Sequence, residues 1–206
     1  MPEPAQPHYF ETPTGEEHRR EVTVTLAGRE LEVVTADGVF SGGRVDLGTR
    51  VLFREVPPPP AGDLLDLGCG WGPVALTMAL RSPSARVWAV DVNERAVALA
   101  AENARRLHLP GVTAVTPDQV PDGVRFAAIW SNPPIRVGKE ALHALLLRWL
   151  PRLAPDGAAY LVAQRNLGAD SLHAWLAGQS PEPGAPRFTV TRAGSAKGYR
   201  VLRVTR

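Results

Sequence analysis

An apolar strand that ends on an acid and breaks at once into glycines constrains this chain more than any other feature. Asp63-Leu64-Leu65-Asp66-Leu67 reads as the strand, Gly68-Cys69-Gly70-Trp71-Gly72-Pro73 as the turn, and Val74 to Leu80 as a helix. An α/β sheet presents a nucleotide-like ligand at such a turn. Glycines at alternate positions remove the Cβ atoms that would keep the backbone away from a ligand, and Pro73 suits a first helical turn, where its missing amide hydrogen would have no partner. Tight strand-to-helix connections also use glycine for structural reasons alone, so a second feature is needed. Arg86-Val87-Trp88-Ala89-Val90-Asp91 supplies it. This is another apolar strand ending in a carboxylate, about twenty residues beyond the turn, a spacing that brings an acid onto the ribose hydroxyls of a nucleoside. A helix from Asn93 to Leu107 is expected next. Pro73 stands where the dinucleotide fingerprint would have its third glycine, so the expected ligand is a nucleoside without a diphosphate.

Asp66, Gly68, Gly70, Gly72 and Asp91, with Val92 beside it, make the chain resemble the class I S-adenosylmethionine-dependent methyltransferases. Their first motif has the form acid-x-Gly-x-Gly-x-Gly, and their second strand ends in a ribose-binding acid. The resemblance implies S-adenosylmethionine as cofactor. It also implies an α/β, Rossmann-like fold: a mostly parallel seven-stranded sheet with a C-terminal antiparallel hairpin. Val112 to Val115 reads as a further strand. Asp118, in Thr116-Pro117-Asp118, stands where this superfamily often has an acid for the adenine amino group, although Asp after Pro is also ordinary turn chemistry.

A fourth strand, Phe126 to Trp130, runs into Ser131-Asn132-Pro133-Pro134-Ile135. An Asn-Pro-Pro turn is a common loop in isolation, but after a fourth parallel strand it has a chemical use. An exocyclic amine on a planar base or amide has its lone pair delocalised into the π system. It becomes nucleophilic when its two hydrogens are held by acceptors that favour a pyramidal nitrogen. The Asn132 side-chain oxygen and the Pro133 carbonyl are candidate acceptors. Pro133 and Pro134 stiffen the turn and remove competing amide donors, so the acceptors are set where positive charge develops on the nitrogen. No strong general base is then required.

Other segments resemble the small-subunit ribosomal RNA guanine-N2 methyltransferases, and this likeness covers nearly the whole chain. They are His8-Tyr9-Phe10 with Pro13, Asp37-Gly38-Val39-Phe40-Ser41, Arg44-Val45-Asp46-Leu47-Gly48-Thr49, Asn132 to Arg136 with Gly138-Lys139, and Lys197-Gly198-Tyr199-Arg200-Val201-Leu202. The chain is similar to the single-domain members. The resemblance implies methylation of an exocyclic amine of RNA, guanine N2 in small-subunit rRNA, with Asn132, Pro133 and Pro134 as catalytic residues. Ile135 departs from the many Asn-Pro-Pro enzymes that have an aromatic there to stack on the target base, a contact worth roughly 1–3 kcal/mol. Trp71, Phe40 and Tyr199 are candidates for the missing ring, each with core filling as the alternative.

Twenty-three basic and 21 acidic residues leave a formal charge of +2, which alone would not imply nucleic acid. Its distribution is more useful. Arg187 to Arg206 holds Arg187, Arg192, Lys197, Arg200, Arg203 and Arg206 and no acid, while Arg136 and Lys139 follow the Asn-Pro-Pro turn. These cations read either as a solvated strand face or as phosphate contacts at the mouth of the site. The expected RNA-facing residues are Ile135, Arg136, Lys139, Lys197, Tyr199 and Arg200.

At 206 residues and 44% hydrophobic content the chain can build one substantial core. The expectation is a single methyltransferase domain over residues 1–206. Residues 1–56 would form an N-terminal β-hairpin and lid segment folded against the sheet and covering the cofactor, and residues 63–206 the catalytic core. The N-terminal hairpin is expected from Glu21–Leu26 and Glu30–Val34 around Ala27-Gly28-Arg29, with Thr49 capping a short helix into Glu55. A C-terminal hairpin is expected from Phe188–Arg192 and Tyr199–Val204 around Ala193-Gly194-Ser195. Cys69, the one cysteine, excludes an intrachain disulfide and a cysteine-clustered metal site. His108, His143 and His173 lack ligand spacing and read as structural. With no signal peptide or apolar run long enough to span a bilayer, a cytoplasmic, metal-free protein is expected. Two rival readings stay open: a protein-glutamine or DNA-adenine N-methyltransferase, and a non-catalytic RNA-binding protein on a methyltransferase scaffold.

Overall fold

The computed structural model describes residues 18–39, 44–133 and 138–206. Strand β3 (Asp63–Leu67) is buried along all but its first residue, and such a strand needs cover on both faces and both edges. It receives both. On one edge it pairs in parallel with β4 (Arg86–Val90), which pairs in parallel with β5 (Val112–Val115). On the other it pairs with β6 (Phe126–Ser131), followed by β7 (Leu153–Gln164). The sheet ends with β9 (Tyr199–Thr205) and β8 (Thr189–Ala196), both antiparallel to their neighbours. The seven strands lie in the order β5-β4-β3-β6-β7-β9-β8. The chain reverses direction across the sheet between β3 and β6, and a ligand crevice is expected at the carboxyl ends of those two strands.

Helices cover both faces. Helix α1 (Leu47–Glu55), α2 (Pro73–Arg81) and α3 (Glu94–Arg106) lie on one side, where Val51, Leu52, Val74 and Met78 pack on Ala158, Val162 and Val201. Helix α4 (Lys139–Trp149) and α5 (Ala169–Ala177) cover the other, with Leu146, Trp149, Leu172 and Leu176 on Leu65, Ile129 and Leu161. No helix among the described residues is long and apolar enough to cross a membrane. His143 stacks on Trp175 with ring centroids 3.6 Å apart, and His108 takes a positive φ after the end of α3, so both have structural work.

The N-terminal hairpin pairs β1 (Arg19–Leu26) with β2 (Arg29–Ala36). Its turn is two residues long, Ala27 and Gly28, both with positive φ, the geometry that matches the twist of paired strands. Arg29 is therefore the first residue of β2 and not part of the turn. The hairpin does not lie on the large sheet. Val24, Leu26, Val33 and Val34 pack on Trp71, Leu76, Leu99 and Ala104, outside α2 and α3, and α1 is the part of the N-terminal region that reaches the sheet. At the C-terminal hairpin the sequence expectation misplaced the turn. Strand β8 continues through Gly194, where the register with β9 shifts, and the chain turns at Lys197-Gly198, both with positive φ. Gly194 marks a bulge: a Cβ there would stand 2.1 Å from the Glu55 carboxylate.

Asn103 fastens the hairpin to the rest. Fully buried, it accepts from the Val34 amide at 2.7 Å and donates to the carbonyls of Val34 and Trp71, each at 2.9 Å. A single side chain thus ties β2 to the glycine turn. Because each buried group left without a partner costs roughly 1–3 kcal/mol, Asn103→Ala should lower unfolding stability by about 2–4 kcal/mol. Urea denaturation checks this, and a loss below about 1 kcal/mol would mean that water replaces the three bonds.

Candidate active site

The carboxyl ends of β3 and β6 carry the two motifs, and local bonds set both. Asp66 is buried in β3 and accepts the Ala75 amide at 2.8 Å, so the strand's acid holds the first turn of α2. Gly72, the residue before that helix, has no side chain to cap it and a φ of 97°. The Gly68 and Cys69 amides both donate to the Val90 carbonyl, which continues the β3–β4 ladder into the turn. On the opposite wall the Ser131 hydroxyl donates to the Leu67 carbonyl at 2.7 Å. The residue before Asn132 is thereby fastened to the end of β3.

Between these walls lies an open cleft lined by Asp46, Thr49, Gly68, Cys69, Pro73 and Asn132, among others. Gly68 has a φ of 78°, and a Cβ built on it would meet nothing within 4 Å; that space is left for a ligand. Gly70 shares the lining. Gly72 does not. A Cβ there would press on Ala100 at 3.3 Å, so the third glycine allows α2 and α3 to approach each other. The Cys69 thiol is buried and pushed up above its ordinary pKa by burial and by the carboxylates of Asp91 and Asp66, which keeps it a neutral wall and not a nucleophile.

Asp91 closes the turn from β4. Its carboxylate accepts the Gly70 amide at 2.9 Å and the Asn93 amide at 3.0 Å, one bond to each oxygen, and each oxygen keeps capacity for another donor. Val92, next in the chain, is exposed. S-adenosylmethionine, the cofactor that the sequence resemblance implies, fits the residues present: open space over Gly68 and, at Asp91, a carboxylate with capacity for two more donors. Asp118, expected at the adenine, is not among the residues that line the cleft. It sits in a short 3-10 turn, Pro117–Gln119, is 88% exposed, and meets Arg148 at 2.7 Å.

Asn132 faces the glycine turn across the cleft with its side chain held by two bonds. Its side-chain nitrogen donates to Asp46 Oδ2 at 2.9 Å and to Thr49 Oγ1 at 3.1 Å, so both amide hydrogens are used. Asp46 also accepts from the amides of Gly48 and Thr49, which makes it the cap of α1, where the sequence pointed to Thr49. Thr49 instead lies inside the helix with its hydroxyl on Asn132. Gly48 is tight: a Cβ there would stand 3.0 Å from the Tyr199 ring and 3.3 Å from the Asn132 nitrogen. Tyr199 is thus the aromatic side chain beside Asn132, whereas Trp71 is buried under the hairpin. Pro133 is buried. Pro134, Ile135, Arg136 and Phe40 lie outside the described residues, as do His8 to Phe10 and Pro13.

The expected RNA-facing cations separate into two groups. Lys139, the first residue of α4, and Lys197, in the β8–β9 turn, are exposed. Arg200 is mostly buried and paired with Asp170, and Arg206 pairs with Glu182. Among the described residues no group of three or more His, Cys, Asp or Glu is placed to hold a metal ion. Sequence reasoning missed Asp46 and Ser131 as parts of the site. An acid just ahead of Leu47-Gly48-Thr49 and an apolar-periodic helix is a capping signal that could have found Asp46, but nothing local links it to Asn132.

The strand order, the glycine turn and the cleft at the β3–β6 reversal define a class I methyltransferase fold. The family model for the methyltransferase small domain matches residues 30–183. The protein YbxB of Bacillus subtilis (strain 168) is 34% identical over 168 residues, which are 80% of this chain and 84% of that one. Ribosomal RNA small subunit methyltransferase C of Pseudomonas aeruginosa (strain LESB58) is 37% identical over 150 residues, 70% of this chain and 45% of the relative. The chain therefore spans about half the length of the methyltransferase C relatives it matches. Among solved structures, the T. thermophilus 16S rRNA N2 G1207 methyltransferase (RsmC), in complex with AdoMet and guanosine, superposes with a TM-score of 0.74. That match has 24% identity and covers 94% of this chain and 52% of that chain. The chain belongs to the methyltransferase small domain family.

Burial, with a smaller push from Asp91, raises the Asp66 pKa from 3.8 to about 8. Asp91 is raised as well, mainly by burial. Between pH 4 and pH 8, roughly, folded Asp66 keeps a proton that the unfolded chain has released, so stability falls as pH rises through that window. Asp66→Asn, which keeps an acceptor for Ala75, should flatten the fall. Urea midpoints of the ligand-free protein at pH 6 and pH 8 check this, and an equal pH dependence in parent and variant would show that Asp66 is not its source.

Proposed function

We propose that the protein transfers the methyl group of S-adenosylmethionine to an exocyclic amine of RNA, guanine N2 in small-subunit rRNA, in the cytoplasm. The observation that carries the reading is the orientation of Asn132. With both amide hydrogens held by Asp46 and Thr49, its Oδ1 is what remains to accept a hydrogen from an incoming amine. The Pro133 carbonyl is the second acceptor. Bound in the cleft, the cofactor supplies an electrophilic methyl on a sulfonium, open to in-line displacement. The chain's residues do the rest. Asp91 takes the ribose hydroxyls, the Gly68–Gly70 backbone lets the ligand lie close, and Asn132 with Pro133 holds the amine so that its lone pair faces the methyl group. The methylated nitrogen then loses its proton to water or a weak acceptor.

Tyr199, beside Gly48 and Asn132, is suited to stack on the target base where Ile135 has no ring. Lys139 and Lys197 are exposed and make no ion pair among the described residues, unlike Arg200 and Arg206, which favours them as phosphate contacts. A small-subunit rRNA substrate draws support from the names of the methyltransferase C relatives, and guanine N2 from what the RsmC neighbour acts on. The rival N-methyltransferases share the Asn-Pro-Pro chemistry but usually carry an aromatic residue where this chain has Ile135. A decayed, non-catalytic scaffold is disfavoured by Asp66, Asp91 and Asn132, all present and all in bonded positions.

Substitutions separate binding from chemistry. Asn132→Ala should leave S-adenosylmethionine affinity within about twofold while the single-turnover rate of RNA methylation falls by about a hundredfold. Asp91→Asn should weaken cofactor affinity by at least about tenfold, through loss of charge-assisted bonds worth roughly 1.5–3 kcal/mol each. Calorimetry and tritiated-methyl transfer measure the two effects. A near-parental turnover in Asn132→Ala would remove the Asn-Pro-Pro turn from the mechanism.

A further inference from the structure

We infer that Asp46 and Thr49 are positioning residues for methyl transfer: together they fix which end of the Asn132 amide faces the substrate. The inference rests on the reading of Asn132 given above and extends it to two residues on a different element, 86 and 83 positions away in the chain.

A side-chain amide can turn over about its last torsion at little cost unless its surroundings distinguish oxygen from nitrogen. Here they do. Asp46 Oδ2 is an acceptor that already takes the Gly48 amide at 2.7 Å and the Thr49 amide at 3.3 Å. With the Asn132 amide turned over, its oxygen would face this carboxylate at 2.9 Å, which is repulsive, and the hydrogens would point at the amine they must not compete with. With the amide as found, both hydrogens are satisfied and Oδ1 is left for the substrate. Donation to an anion also draws electron density toward Oδ1, since charge-assisted bonds are shorter and stronger than neutral ones and polarise the groups that make them. The amide oxygen thereby becomes a better acceptor for the amine hydrogen at the moment its nitrogen gains positive charge.

Asp46 is held in place for this work. It caps α1, whose Val51 and Leu52 are anchored in the core beneath β7 and β9, so its carboxylate is fixed relative to the sheet that carries Asn132. Gly48 completes the arrangement, because a side chain there would strike Asp46 Oδ2, the Tyr199 ring and the Asn132 nitrogen within 3.3 Å. The same helix turn thus sets the acceptor and leaves room for the aromatic ring beside it.

The test uses the full chain and two variants that leave the helix capped. Asp46→Ser keeps a capping hydroxyl but is too short to reach Asn132. Thr49→Val keeps the shape of the helix and removes only the hydroxyl. The first readout needs no RNA: amide resonances of the Asn132 side chain in a nitrogen-15 spectrum, where both protons should be protected from exchange in the parent and lose protection in either variant. The second is single-turnover methylation of small-subunit rRNA from a strain lacking the gene. Each variant should fall by about tenfold or more with S-adenosylmethionine affinity held within about twofold, and adding Asp46→Ser to Asn132→Ala should cost nothing further in rate. Unprotected side-chain protons in the parent, or turnover that is unaffected in both variants, would overturn the inference. So would a rate loss fully additive with Asn132→Ala, which would mark Asp46 as a structural cap alone. Protected protons in an enzyme inactive on every RNA would instead count against the proposed substrate, with the amide lock upheld.

Discussion

The hydrogen bond from the Ala75 amide to the buried carboxylate of Asp66 is the joint on which the rest depends. It fastens the central strand to the start of α2 and so shapes the glycine turn between them. That turn in turn supplies the Gly70 amide that holds Asp91 and the Trp71 carbonyl that holds Asn103, and through Asn103 the hairpin. Without the Asp66 contact, α2 would have no side chain capping its N-terminus, since Gly72 offers none. One carboxylate therefore sets the position of the cleft wall, of Asp91 and of the N-terminal hairpin together.

Asp66 and Asp91 sit close enough that Asp91 raises the Asp66 pKa, and burial raises both. In the ligand-free protein this is unfavourable, because charge is either desolvated or neutralised by a proton. Such a site is complementary to a cationic ligand such as a sulfonium. A third acid, Asp46, lies on the same cleft, but its charge is directed into the cap of α1 and the amide of Asn132. Under the proposed function, cofactor binding falls to Asp91 and amine orientation to Asp46, carboxylates on different elements. The fold brings those elements together because β3 and β6 are neighbours at the reversal point of the sheet.

The elements from β3 to β6 were legible because each carries its own local signal: short apolar runs for buried strands, a helical period between them, and glycine, proline or asparagine at the joints. Asn93 as cap of α3 and Pro73 at the start of α2 follow from single residues. Failures came where one residue type serves two purposes. Gly194 looked like a turn and is a bulge that makes room for Glu55, while the true turn, Lys197-Gly198, puts a lysine at positive φ. Trp71 was a candidate for stacking and fills the core under the hairpin. Asp91 and Asn132 could be picked out from their positions after strands. The contacts that orient Asn132 could not, because they join residues more than 80 positions apart through a helix whose placement depends on tertiary packing. The tail could be read as a run of basic residues without an acid, but the pairing of Arg200 with Asp170 is a tertiary fact of the same kind.

The central claim is that the Asn132 turn, facing the glycine turn across one cleft, methylates an exocyclic amine of RNA. The most direct measurement is mass-spectrometric mapping of modified nucleotides in RNA from cells with and without this gene. The account predicts loss of a single N2-methylguanosine from small-subunit rRNA, restored by the parent gene and not by the Asn132→Ala version. An unchanged set of methylated nucleotides in every RNA class would contradict it.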